Sequence, residues 1–138
     1  MRPYRRLVTI GLFAGAALLP GCASRTAETR INPILVGYVY QQAAAQVRRC
    51  YRAPRVPYSA RQIVTRLSLS LNSDGTLAGL PAIVSQNGIT PDNEAYAGKM
   101  AEAASLAVVK CAPLSLPPEH YQALWSRFEL VFSPKVSV

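Results

Sequence analysis

RQIVTRLSLSLNSDGTLAGLPAIV, residues 61–84, decides the fold. Ile63, Thr65, Leu67, Leu69 and Leu71 fall on one side of an extended backbone, and Gln62, Val64, Arg66, Ser68 and Ser70 on the other. That period of two marks a half-buried strand. Asn72, Ser73, Asp74 and Gly75 then supply residues that tolerate tight-turn geometry. Thr76 to Val84 returns to β-branched and aliphatic residues, so the two runs pair as a hairpin. A lone hairpin is only marginally stable. The leucine face therefore needs cover from the flanking sequence.

Upstream, Asn32 followed by Pro33 starts a helix, because Asn caps free N–H groups and Pro is tolerated at the first helical position. Leu35, Val39, Ala43, Val47 and Cys50 form one apolar stripe that runs to about Tyr51, and Pro54 and Pro57 stop it. Downstream, Ser85 to Gly88 reads as a loop, and Thr90 with Pro91 repeats the cap-plus-proline start. The second helix carries Ala95, Met100, Ala101, Ala104, Leu106, Ala107 and Val108 and runs to about Lys110, with Cys111 at its end. Pro113 breaks it. The run from Leu116 to Tyr121 gives one short helical turn, and the stretch from Trp125 to Phe132 then alternates. Phe128, Leu130 and Phe132 face one way and Arg127, Glu129 and Val131 the other, so this is a third strand, closed by Pro134.

The order is helix, strand, strand, helix, strand. An all-antiparallel sheet then places the third strand beside the first, giving the order β2-β1-β3. The expected fold class is α+β, a three-stranded antiparallel sheet with both helices on the apolar face of a central leucine strand. The run Arg127–Phe132 becomes an edge with a row of unpaired backbone groups.

Length and composition bound the rest. The chain has 138 residues, half of them hydrophobic, which leaves room for one domain with one modest core. Three arginines, Arg2, Arg5 and Arg6, precede an apolar run from Leu7 to Leu19, followed by Pro20, Gly21 and Cys22. This order is that of a secretory signal, and the run is shorter than the roughly 20 residues a spanning helix needs. Leu19 to Cys22 resembles the lipobox of bacterial lipoproteins, with Pro20 a departure from the usual Ala or Ser. The resemblance implies acylation of Cys22 and a mature chain that starts there. The chain then divides into a signal (residues 1–21), a lipidated tether (22–31) and a domain (32–138). Ala23 is not the aspartate that retains many such proteins at the inner membrane, which favours the periplasmic face of the outer membrane.

Without the three leading arginines the chain keeps 12 basic against 7 acidic residues, a net +5. Arg48, Arg49, Arg52, Arg55, Arg61 and Arg66 follow one another with no acidic residue between them. They read either as a patch for an acidic partner, headgroup or glycan, or as a solvated face over an anionic membrane. Nucleic acid is not an expected partner of an exported chain. Of three cysteines, a lipidated Cys22 leaves Cys50 and Cys111. An oxidising compartment favours one disulfide between them over two buried thiols. With His120 they do not make a metal set of familiar spacing, and no cofactor is expected.

Cys50-Tyr51, the hairpin SLSLNSDGTLAGLPAIV, Lys110-Cys111-Ala112-Pro113, Leu116-Pro117-Pro118 with Tyr121, Trp125, and the closing Phe132-Ser133-Pro134 together resemble the C-terminal domain of TolA, within the TolA/TonB C-terminal group. The likeness spans about Ile31 to Ser133 and lies in the succession of features, none of which is diagnostic alone. It departs from TolA in having a lipid signal and a short tether in place of a membrane helix and long stalk. The resemblance implies a non-enzymatic periplasmic module of a Tol-Pal-type system. Such a module takes a partner strand onto the edge Arg127, Phe128, Glu129, Leu130, Val131 and Phe132. The expected partner is an envelope protein, with no small-molecule substrate. The alternatives are that the edge is covered by the tether or a second copy, or that Arg48, Arg49, Arg52 and Arg55 make the contact in an envelope or secretion assembly. His120, with Glu119 beside it, forms no visible catalytic constellation with Asp74, Asp92 or Glu94.

Overall fold

In a computed structural model, residues 31–134 are described. The signal (1–21), Cys22 and the tether up to residue 30 lie outside the described residues.

Helix α1, Pro33–Cys50, begins where the sequence places it: the Asn32 side chain accepts a hydrogen bond from the Ile34 N–H at 3.0 Å, and Pro33 opens the first turn. Val39, Ala43 and Val47 of its stripe are buried. Strands β1 (Val64–Ser70), β2 (Ala82–Asn87) and β3 (Arg127–Phe132) form one antiparallel sheet in the order β2-β1-β3. Helix α2, Ala97–Cys111, packs beside α1 on the same sheet face. The core joins Val39, Ala43 and Val47 to Leu67, Leu69 and Leu71, to Ala104, Ala107 and Val108, and to Trp125 and Leu130. Small residues on α2 let it approach the leucines closely, and each buried Leu contributes about 1.5–3 kcal/mol of transfer free energy.

The β1–β2 connection departs from a plain hairpin. The turn itself forms: Gly75 adopts φ +84°, and any side chain there would overlap the Leu114 carbonyl, so the position requires glycine. Leu71 pairs with Leu77, but the next pair is Ser68 with Ala82, so three steps along β1 face five along the partner. The Ala78 N–H still donates to the Ser70 carbonyl at 2.8 Å, and the chain then swings out over residues 79–81, where Pro81 has no N–H for the ladder. A bulge opposite Arg66 and Leu67 adds Val84 as a further unpaired residue. Pairing then extends through Ser85, Gln86 and Asn87, expected to be loop. The bulge turns Gln86 toward the helices, where its amide donates to Thr65 Oγ1 (3.1 Å) and the Ala97 carbonyl (2.8 Å). Buried Thr65 is thereby satisfied.

The second helix also starts later than Thr90-Pro91 suggests. Asn93, 1 % exposed, accepts from the Thr90 N–H at 2.7 Å and donates to the carbonyls of Ser59 and Gly88, each at 2.9 Å. An amide serving three backbone groups holds residues 90–93 in a turn, and a 3-10 turn (Glu94–Tyr96) intervenes before α2. Trp125 belongs to a π-helical turn, Tyr121–Trp125, ahead of β3. Its indole N–H donates to the Pro117 carbonyl at 2.7 Å, and Tyr121 stacks edge-on against it while donating its O–H to the Leu71 carbonyl at 2.8 Å.

Candidate functional site

Strand β3 is an edge, and its register against β1 is unbroken from Thr65–Phe132 to Ser70–Arg127. The Leu71 N–H donates to the Ser126 carbonyl at 2.9 Å, which sets the phase of the ladder. By antiparallel alternation, Phe128, Leu130 and Phe132 direct their N–H and C=O groups to β1. Arg127, Glu129 and Val131 direct theirs outward. The side chains follow the expected faces: Leu130 is buried, Phe128 and Phe132 half-buried, and Arg127, Glu129 and Val131 exposed.

Beside this edge lies a groove of about 260 Å³. Tyr40, Gln41, Ala44, Val47, Arg48 and Tyr51 of and just beyond α1 form one wall, and Leu130, Val131, Phe132 and Ser133 the other. Buried Val47 and Leu130 make its base, exposed Gln41, Arg48 and Val131 its rim. Tyr51 and Phe132 meet across it with ring centroids 5.8 Å apart, and burial pushes the Tyr51 phenol above its ordinary pKa. Nothing in the sequence announces this groove, since its walls lie some 80 residues apart in the chain; the α1 stripe and the inward face of β3 were the available signals.

What holds α1 beside β3 is also visible. Cys50 and Cys111, the last residues of the two helices, sit at disulfide distance with Cα atoms 5.7 Å apart. The Gln46 amide donates to the Ser115 carbonyl and accepts from the Ser115 N–H, both at 2.8 Å.

The basic residues divide. Arg48 stands on the groove rim. The Arg52 guanidinium folds back to donate to the carbonyls of Arg49 (3.2 Å) and Tyr51 (3.3 Å), closing the helix end. Arg55 is exposed on the connection to β1. Arg66 leaves the set: it pairs with Glu129 at 3.3 Å across the open sheet face. Among the described residues no carboxylate lies within 4.0 Å of Arg48, Arg49, Arg52 or Arg55. His120 ends a 3-10 turn with Nε2 3.9 Å from Glu119, and neither residue lines the groove. No group of three metal-binding side chains and no helix long and apolar enough to cross a membrane occurs among the described residues.

These features define a small α+β domain with an open, grooved sheet edge. Residues 38–133, which include the whole groove, match the family described as uncharacterised conserved protein UCP034077, and the chain belongs to that family. No curated protein and no solved structure matches it.

Proposed function

We propose that this protein is a non-enzymatic interaction module of the bacterial envelope, anchored through lipid on Cys22, that captures an extended segment of an envelope partner on β3. The observation that carries this reading is the outward N–H and C=O groups of Arg127, Glu129 and Val131 running beside the α1–β3 groove. An added strand takes main-chain hydrogen bonds from the edge, and every second side chain of it enters the groove. The apolar base suits aliphatic or aromatic residues, and Arg48 on the rim suits an acidic one. The TolA-like succession of features supports the same reading, with a Tol-Pal-type or other periplasmic partner. Placement on the outer membrane follows from the residue after Cys22.

Proline at Val131 tests it. The Val131 N–H points away from β1, so Val131→Pro removes an outward donor and leaves the ladder intact. Leu130→Pro would instead break a bond to β1. A photocrosslinking side chain at Val131 in intact cells is expected to trap one partner, and Val131→Pro beside a crosslinker at Arg127 is expected to abolish the adduct. An unchanged adduct from a folded Val131→Pro protein would sink strand capture.

The second reading, docking through Arg48, Arg49, Arg52 and Arg55, draws on their lack of carboxylate partners among the described residues. Arg49→Glu with Arg52→Glu separates the two. Loss of the adduct there, with Val131→Pro harmless, favours the patch.

A further inference from the structure

Helix α1 is covered unevenly. From Val39 onward its stripe is buried, but Ile34 is 80 % exposed, Tyr38 52 % and Val36 43 %, and Ile31 just before the helix is 51 % exposed. Ile34 and Tyr38 share one face at i, i+4, whereas Val36 lies on the side that Ala43 and Val47 bury further along. The first turns of α1 therefore project past the sheet and are apolar all round, a composition that calls for an apolar cover.

We propose that this tip, Ile31–Tyr38, seats in the surface of the lipid bilayer that holds Cys22. The proposal rests on the anchor reading above. The eight residues from Ala23 to Arg30 separate Ile31 from that cysteine, and extended they reach at most about 28 Å, so the tip stays at headgroup range. Tyr38, one turn up from Ile34, is exposed and has the apolar body and polar end that favour the membrane–water boundary. No acidic residue occurs between Glu28 and Asp74, so nothing on this stretch repels anionic headgroups. Arg48 and Arg49 lie at the other end of the helix, about 20 Å from Ile34 at 1.5 Å per residue. That exceeds the Debye length of about 8–10 Å, so the patch does not carry the seating; Arg30, next to Ile31 in the chain, adds one cation to a mainly apolar contact.

The test uses the full chain, acylated at Cys22 and reconstituted in vesicles whose acyl chains carry bromine, a contact quencher of indole. Ile34→Trp reports the tip, Arg49→Trp the opposite helix end, and buried Trp125 gives a background common to both. The expected result is that the added emission of the Ile34→Trp protein is blue-shifted and loses at least half its intensity, while that of the Arg49→Trp protein is unaffected. Replacing half of the zwitterionic lipid with anionic lipid is expected to change the quenching less than twofold. Equal quenching of the two variants, or none of Ile34→Trp, overturns the proposal. So does an Ile34→Trp emission already blue-shifted in Cys22→Ser protein without vesicles, which would mean that another part of the chain or a second copy covers the tip. A protein that takes up no acyl label fails at the anchor itself, and the tip proposal falls with it. An anchored Ile34→Trp protein whose added indole stays unquenched fails only the seating.

Discussion

The two edges of this sheet flank the same central strand, yet only one presents an unbroken row of outward hydrogen-bonding groups. Along β3 six consecutive residues keep one register with β1, so outward donors and acceptors recur at every second residue beside a groove that can take side chains. Along β2 the excursion at residues 79–81 and the bulge at Val84 break the period twice within a few residues. Leu80, Ile83 and Val84 are exposed there, but the interrupted edge presents no continuous row of hydrogen-bonding groups. Irregularity is how sheets discourage unwanted pairing, and here it is confined to one side. Exposure alone therefore does not distinguish the two edges; regular register and a neighbouring groove do.

The largest expected effect concerns what holds the groove open. If Cys50 and Cys111 are oxidised together, Cys50→Ser or Cys111→Ser removes a cross-link closing a loop of 61 residues, worth about 4 kcal/mol on the chain-entropy model. Urea unfolding measures the loss, and hydrogen exchange is expected to rise at β3 and the end of α1 more than at β2. A uniform rise would erase the contrast between the edges. Next, Val131→Pro is expected to weaken partner capture about a hundredfold, roughly 2.7 kcal/mol, while Val84→Pro in the bulge changes it less than threefold. Titration with the identified partner segment checks both. Equal losses would make the edges equivalent. Third, Glu129→Gln breaks the exposed Arg66–Glu129 pair and is expected to cost no more than about 0.5 kcal/mol in thermal unfolding.

The smallest effect lies at the β1–β2 turn. Hydrogen bonds from the Thr76 hydroxyl and N–H hold the Asp74 carboxyl below its ordinary pKa. A depressed folded-state pKa contributes stability that is present above the unfolded value and lost as pH falls through the folded one. Asp74→Asn is expected to flatten the acid limb of the stability curve slightly and leave neutral pH almost unchanged, as a pH series of melting curves would show.

Much of this architecture is legible in the sequence because it is local and periodic. The alternation from Ile63 to Leu71 yields the buried face of β1, and Phe128, Leu130 and Phe132 yield that of β3 with its bounds. The strand order follows from the order of the elements and the requirement that neighbouring strands run antiparallel. Thr76 to Val84 reads as one pairing run, but Pro81 interrupts it, and where pairing resumes depends on Gln86 finding Thr65, a contact between strands. Likewise Thr90-Pro91 is a sound local helix start that a distant demand overrides, since Asn93 is claimed by Ser59 and Gly88. The edge at Arg127–Phe132 could be read from the chain. Its groove could not, because Tyr40, Val47 and Tyr51 meet Leu130 and Phe132 only through the fold.

The Gln46 clasp on Ser115 makes the junction between α1 and the segment after α2 selective for an amide. The side-chain amide must both donate to the Ser115 carbonyl and accept from its N–H, a pair of roles that a carboxylate cannot fill. Gln46→Glu would turn the donor into an anion facing a carbonyl oxygen, and the Cys50–Cys111 contact would be left to hold that end of α1.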